Sequence, residues 1–229
     1  GISSIAELLD ACRENRLVEV KGFGYKTQAQ ILSDIEFKFS NEGKFHWART
    51  RAIVAFLDGF FEHEPSVHHY SVAGDYRRLN DVVSSVDYVL VCDDLQAVSD
   101  MLCESGNFIL HDADTDSLIL IYAETMKVRL FGCSHERWGN TLLEKTALPA
   151  HLEKINYAGG KDFEEEKEIY ASLNLPYILP ELREGLGELE HLDLQDRLIT
   201  YRDLRGVLHN HTTYSDGLHS MEEMAVHAR

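Results

Sequence analysis

The sequence predicts an α+β protein built on a small mixed sheet with helices, and three observations carry that prediction. Four short runs rich in β-branched and aromatic residues, at 67–73, 88–91, 117–122 and 126–131, have the length and composition of strands. Apolar residues recur at helical spacing across 46–66 and 95–103, which places helices before and between those strands. A helical segment precedes the sheet, and a charged segment punctuated by prolines follows it.

At the N-terminal end, Ser3-Ser4-Ile5-Ala6-Glu7 sets Ser and Glu at capping-box spacing ahead of Leu8 and Leu9, so a helix starts there. A turn follows, and Val20-Lys21-Gly22-Phe23-Gly24-Tyr25-Lys26-Thr27 leads into Ala29-Gln30-Ile31-Leu32, an apolar helix opening. Two glycines around one apolar residue permit a tight hairpin whose backbone N–H groups point outward, where a helix dipole favours an anion. The same Gly-Phe-Gly also suits a plain turn between helices with Phe23 plugging the core. In 46–66, Trp47, Ile53, Val54, Phe56, Leu57 and Phe60 supply one apolar face, and Pro65 ends the helix. His68 and His69 fall on a strand; adjacent strand residues face opposite ways, so they read as one surface and one packing histidine. Asp162-Phe163-Glu164-Glu165-Glu166 reads as a solvated helix face, and Pro176 and Pro180 end a helix and fix an extended crossing. Residues 186–205 read as a linker with some helix.

The chain has 229 residues, 44% of them hydrophobic, enough for a core and for more than one domain. It contains no apolar stretch long enough to cross a bilayer and no signal-peptide pattern, so the expectation is a cytoplasmic protein with no membrane partner. Cys12, Cys92, Cys103 and Cys133 have no C-x-x-C spacing and read as reduced thiols. The formal net charge of −17, with 39 acidic and 22 basic residues, opposes strong attraction to nucleic acid. Residues 1–50 are balanced at seven of each sign, so a local contact with a duplex is expected at that end.

Between the strands stand Gly74-Asp75-Tyr76-Arg77-Arg78, then Ser85-Val86-Asp87, then Val128-Arg129-Leu130. A glycine turn with two arginines suits phosphate binding, and carboxylates on neighbouring strands would hold two divalent cations, yet Asp87 is the only carboxylate at those strand positions. These residues resemble the palm of the family X DNA polymerases, the DNA polymerase beta group. The resemblance implies a nucleotidyltransferase-type palm in which Gly74, Arg77 and Arg78 match nucleotide-phosphate residues and Asp87 matches a catalytic, metal-binding carboxylate. Three positions depart from the pattern: Asp75 replaces a phosphate-binding serine, Ser85 replaces one metal ligand and Arg129 replaces another. A guanidinium in place of a ligand can pair with Asp87 and fill the metal's space, so this palm is expected to be polymerase-inactive. Mg²⁺ or Mn²⁺ is the cofactor implied for a working palm. Recruitment of Asp81 or Asp93 in place of the lost ligands is a further possibility that their places at strand ends disfavour.

The likeness extends in both directions. The Gly22-Phe23-Gly24 turn is similar to the helix-hairpin-helix that grips the DNA backbone in the family's fingers, which implies Gly22, Gly24 and Lys26 as DNA-binding residues. Trp138 to Thr146 stands where the family carries an aromatic pair against the incoming sugar, and Glu144 and Lys145 replace that pair; both also suit exposed helix positions. Glu165 to Leu173 and Leu175 to Gly185 are similar to the thumb end of the bacterial members. Beyond Arg205, Val207-Leu208-His209-Asn210-His211-Thr212-Thr213-Tyr214-Ser215-Asp216-Gly217 places two histidines two apart. On a strand both would face one cation, with Asp216 as a further ligand. This run resembles the opening motif of the polymerase and histidinol phosphatase (PHP) domain, a phosphoesterase barrel for which Zn²⁺ or Mn²⁺ is implied, while His219 and His227 face solvent on the following helix. With 24 residues after Arg205, His209, His211 and Asp216 form a partial metal site, and the chain is expected to be a fragment.

The expected organisation is fingers with helix-hairpin-helix at 1–45, palm at 46–135, an α/β thumb at 136–190, a linker at 191–205 and the first strand and helix of a PHP barrel at 206–229. The expected function is that of a DNA repair protein fragment whose palm docks DNA, weakly and through its backbone, for a PHP phosphoesterase or exonuclease. The alternative is a non-catalytic DNA- or protein-binding module. Oligomeric state is not readable from the sequence.

Overall fold

The computed structural model describes residues 2–41 and 43–228, with the side chain of Leu194 outside the description. Two compact units emerge, Gly1–Glu190 and His191–Arg229. In the first unit, α1 (Ile5–Arg13) and α2 (Tyr25–Ser40) enclose a small core of Ala11, Cys12 and Leu17 with Leu8, Ile31 and Leu32 against it. Ser4 caps α1 by accepting from the Glu7 backbone, and the Glu7 carboxylate reaches back to Ser3, so the box spans both serines. α2 opens at Tyr25, directly after Gly24 and four residues before the first apolar position expected of it.

The sheet lies after α3 (Trp47–His63), whose Ile53, Val54, Leu57 and Phe61 are buried. Its strands are β2 (Val67–Ala73), β4 (Val86–Cys92), β5 (Phe108–Ala113), β6 (Ser117–Tyr122) and β7 (Met126–Gly132), in the order β2-β4-β7-β6-β5. β4 and β7 are parallel and every other pair is antiparallel. The parallel pair is made by a crossover through α5 (Leu95–Glu104) and the β5–β6 hairpin, which covers one face with α3 and α5 around Tyr88, Leu90, Val128 and Leu130. Interior strand β4 is buried at every position from Val86 to Val91, so it reads as a continuous apolar run with one charged interruption, Asp87. A second, two-stranded pairing joins β1 (Phe45–His46) to β3 (Val82–Val83), with a single turn of helix, α4 (Gly74–Arg77), between β2 and β3.

β5 was not among the expected strands: only Phe108 of it is buried and the remainder, including the charged Asp112, is exposed, so it carries no alternation of apolar residues. The expected α/β thumb is corrected to an all-helical segment. Among the described residues from 136 to 190 there are α6 (Trp138–Thr146), α7 (Pro149–Lys154), α8 (Glu166–Ser172) and single 3₁₀ turns, and no strand. The run from Leu175 to Leu179 joins no strand ladder among the described residues, and Pro176 within it has no backbone donor to offer one.

In the second unit, 3₁₀ turns at Leu192–Arg197 and Tyr201–Asp203 precede α9 (Met221–His227), which is capped reciprocally by Ser220 and Glu223. The strand expected at 207–211 is corrected to unpaired, irregular chain. A strand exists by bonding to a neighbour, and no neighbouring strand lies beside this run among the described residues, so its backbone has no ladder to join. His227 ends α9 as expected, while His219 precedes the helix; both are exposed.

Candidate functional site

Strand β2 ends at Ala73 and the chain turns at Gly74 with φ +60°, a conformation that favours glycine, into the one turn of α4. A Cβ at this position would overlap the carboxylate of Asp87, so the absent side chain is what lets the turn lie against β4. Asp87 is 1% exposed and pairs across the sheet with Ala73 on one side and Arg129 on the other. Arg129 Nε donates to Asp87 Oδ1 at 2.7 Å and Nη2 to Oδ2 at 2.5 Å, a bidentate pair. That hydrogen bond is the first cause of a guanidinium pKa raised above its ordinary value. Arg129 also lies over the Phe131 ring, 5.6 Å from its centroid.

Neither arginine of the glycine turn is free for phosphate. Arg77 donates through both terminal nitrogens to Glu166, at 2.8 and 2.7 Å, and to Thr146 Oγ1. Arg78 is buried and donates to the Thr146 carbonyl and to Asp75 Oδ1. Asp75 is a turn-closing residue: Oδ2 accepts from both the backbone N–H and the hydroxyl of Ser84. Against the opposing effect of burial, the Ser84 bonds and then Arg78 hold its carboxyl below the usual carboxylate range.

Glu166, read from the sequence as part of a solvated face, is buried and bridges three parts of the first unit. It accepts from Arg77 of α4, from fully buried Arg183 at 2.5 and 3.2 Å, and from the Tyr177 hydroxyl. Burial would raise its pKa, but Arg77 and then Arg183 outweigh it and bring it to about 2. The signal available in the sequence was the break in polarity after Glu166, where Ile169 and Tyr170 are also buried on one side of α8. Behind it, buried His151 joins Glu188 and the Tyr170 hydroxyl at 2.5 and 2.9 Å. Desolvation outweighs Glu188 and lowers the pKa of His151.

The replaced aromatic pair also has a definite place. Glu144 accepts from the Tyr157 hydroxyl at 2.7 Å, and the Lys145 amine stands 4.5 Å over the Phe131 ring centroid. Together with Asp116, Ser134 and Arg137 they border a cleft of about 610 Å³ with charges of both signs on its walls and no open aromatic face but Phe131, already covered by cations. Asp93 accepts from His68 Nε2 at 2.7 Å at the far end of β2, and His69 lies edge-on to Trp138 with ring centroids 4.1 Å apart; both histidines are exposed, so the expected division into one surface and one packing histidine is corrected to two surface histidines.

The residues around Asp87 do not fit a pair of divalent cations. Both oxygens of Asp87 face one guanidinium, Asp75 is consumed by Ser84 and Arg78, and Ser85 brings no charge. Among the described residues no three His, Cys, Asp or Glu side chains are grouped to hold a metal.

At the N-terminal end, Gly22 takes φ +100° and Gly24 is an extended N-cap with no side-chain cap bond. A Cβ at either meets nothing within 4 Å, and Phe23 is 39% exposed, so this turn is not plugged into the core by its aromatic ring. The first intrahelical bond runs from Gln28 N to the Gly24 carbonyl, which leaves the N–H groups of Tyr25, Lys26 and Thr27 pointing out of the helix end. Buried Gln28 pins the preceding loop by accepting from Val18 N and donating to Asn15.

In the second unit, His209 and His211 meet through Nε2 atoms 3.0 Å apart, and His211 Nδ1 contacts Asp216 Oδ1 at 2.5 Å. Asp216 therefore engages the far nitrogen of His211 and orients the ring, where the sequence suggested a third ligand. In this arrangement the two Nε2 atoms share one hydrogen bond with each other, and two imidazoles fall short of the three protein ligands that a catalytic zinc asks for.

No protein-family model matches the chain. Over 247 aligned residues it is 27% identical to "DNA polymerase/3'-5' exonuclease PolX" of Bacillus subtilis (strain 168), an alignment covering 98% of this chain and 43% of the relative. The chain thus spans less than half the length of the curated relative it matches. With the palm-like sheet and the glycine turn against Asp87, that similarity is distant homology to a family X DNA polymerase/PHP protein.

Proposed function

We propose that this chain is the polymerase-like part of a family X DNA polymerase/PHP-type DNA repair protein, and that its palm is a non-catalytic scaffold that docks DNA for a phosphoesterase or exonuclease site of the PHP type. The observation that carries this reading is the bidentate Arg129–Asp87 pair, which puts a cation where two-metal nucleotidyl transfer needs a carboxylate. The engagement of Arg77 by Glu166 and of Arg78 by Asp75 supports it, since the turn that would hold a triphosphate is tied to the rest of the fold. In this reading the segments at 1–45, 46–135 and 136–190 act as fingers, palm and thumb, 191–205 as a linker and 206–229 as the start of a PHP domain. Gly22, Gly24 and Lys26 present backbone donors and a cation to DNA phosphates, without reading sequence. His209 and His211, oriented by Asp216, would supply two ligands to a PHP metal centre.

Primer extension on gapped DNA with Mg²⁺ or Mn²⁺ tests the palm. The expected result is no extension; template-directed addition that disappears in Asp87→Ala would overturn the reading. A non-catalytic binding module is the second reading, favoured by the two-ligand half-site at His209 and His211, and it predicts no phosphoesterase activity from any longer form of the protein.

A further inference from the structure

Residues 43–57 form the longest stretch of the chain without Asp or Glu, and they carry Lys44, His46, Arg49 and Arg51. In a chain of net charge −17 such a stretch is a local reversal of sign. Most arginines of the first unit are spent on internal pairs: Arg13, Arg16, Arg77, Arg78, Arg129, Arg137 and Arg183 each reach a carboxylate. Among the described residues of that unit, Arg49 and Arg51 are the arginines that stand outside salt-bridge distance of a described carboxylate, and both are exposed at the start of α3.

Beside them is an aromatic stack. Trp47 and Tyr76 lie with ring centroids 4.8 Å apart and planes 14° from parallel, locked by the Trp47 Nε1 bond to the Tyr76 carbonyl at 3.1 Å. The Arg51 guanidinium sits 5.8 Å over the Trp47 ring, a loose distance for a cation on an indole. His46, Trp47, Ala48 and Asp81 line an open cleft of about 510 Å³ at this point, and Asp81 is the one carboxylate of that lining. Ala48, Ala52 and Ala55 are exposed small residues flanking the two arginines along α3, and Phe56 beyond them is exposed as well.

We infer that this face binds an unpaired DNA strand, with phosphates on Lys44, Arg49 and Arg51 and a base stacked at Trp47. Cations alone would suit duplex and single strand equally. A rigid aromatic stack adjoining them favours the single strand, whose bases are open on their faces, and a stacked base needs no hydrogen-bond readout. The inference rests on the DNA-docking reading and adds to it a second contact, remote in sequence from the Gly22–Gly24 hairpin, that would hold the single-stranded part of a gap or a frayed end.

The test uses the 229-residue chain with a 20-nucleotide oligo(dT), an abasic oligomer of equal length and charge, and a duplex of equal length, read by fluorescence anisotropy and by tryptophan emission. Trp138 is buried, so quenching reports Trp47. The expected result is quenching by oligo(dT) that is absent in Trp47→Phe, at least tenfold weaker oligo(dT) binding in Arg49→Glu/Arg51→Glu, and weaker binding of the abasic oligomer. The thermal melt of Arg49→Glu/Arg51→Glu, in which no ion pair among the described residues is lost, is expected to match the parent, while Trp47→Phe, which gives up the bond to the Tyr76 carbonyl, is used only to assign the emission signal. DNA binding that is indifferent to Arg49→Glu/Arg51→Glu but lost in Lys26→Glu would overturn this site and leave the docking reading standing. No binding of any DNA by the parent chain at low salt would overturn both. Concentration-dependent self-association that Arg49→Glu/Arg51→Glu abolishes without DNA would assign the face to a second copy and overturn the proposal.

Discussion

Asp87 and its two neighbours decide the chemistry of the glycine-turn site one side chain at a time. Because Asp87 is nearly inaccessible, its charge is tolerable only while Arg129 meets both oxygens, so Arg129→Ala leaves a buried carboxylate without its partner. A loss of about 3 kcal/mol in urea unfolding is expected from that change. Gly74→Ala fails for a different reason: the new Cβ overlaps Asp87 in a backbone conformation that L-residues resist. A drop of about 2 kcal/mol or more is expected, read as a lowered thermal midpoint, and an unchanged midpoint would show that the turn can move off β4. Restoring ligands should work in the opposite direction. Ser85→Asp/Arg129→Asp places three carboxylates around the turn and is expected to bind Mn²⁺ measurably by calorimetry where the parent does not. Nucleotide affinity should stay poor, since Asp75, Arg77 and Arg78 remain engaged.

At the scale of elements, Glu166 ties α4, α8 and the turn at Arg183 together, and its protonation should loosen all three. Its pKa of about 2 in the folded protein lies below the ordinary 4.5, so the bound carboxylate stabilises the fold fully above pH 4.5 and loses that contribution as pH falls toward 2. The contribution is on the order of 3 kcal/mol, with about 2 kcal/mol gone by pH 3, and Glu166→Gln should flatten this part of the stability profile. At the hairpin, Gly24→Val meets no neighbour and should leave the melt nearly unchanged while weakening duplex binding; Lys26→Glu should weaken it more at low salt. Equal duplex affinity in both variants would reduce the hairpin to a connection. The elements also show what sequence can carry. The helix at Trp47–His63 and strands β2, β4, β6 and β7 were legible because each had a periodic apolar face or a β-branched run, and the pairing of Arg129 with Asp87 was legible because two adjacent strands held opposite charges. β5 was not legible, since a hairpin strand at the sheet's edge buries almost nothing. Glu166 was hidden inside an acidic run, because a buried ion pair depends on Arg77 and Arg183, which lie 89 and 17 residues away along the chain. The strand expected at Val207 to His211 rested on the spacing of two histidines and on a family likeness, and the run has no neighbouring strand among the described residues, so the motif did not carry the local structure.

For the molecule as a whole, charge sets how DNA could be held. Residues 191–229 carry six acidic and four basic residues, so nearly all of the excess negative charge lies in the first unit, the same unit that bears the hairpin and the Arg49–Arg51 face. Far from the surface such a body repels DNA, which removes the long-range steering that a basic polymerase enjoys. Close to it, the field is decided by the few unpaired cations, Lys26, Lys44, Arg49 and Arg51 among them, because the other arginines of the unit are already matched by carboxylates. A contact made by about three or four such groups releases a similar number of counterions. The logarithm of affinity should therefore fall against the logarithm of salt with a slope of about −3, roughly a sixtyfold loss between 50 and 200 mM KCl. The association rate should be slow and should rise, not fall, with the first additions of salt, since screening acts first on the long-range repulsion. Stopped-flow anisotropy at several salt concentrations separates the two effects. A steep slope together with a salt-suppressed association rate would mean a broad basic surface and would sink the picture of an acidic scaffold that touches DNA at isolated points.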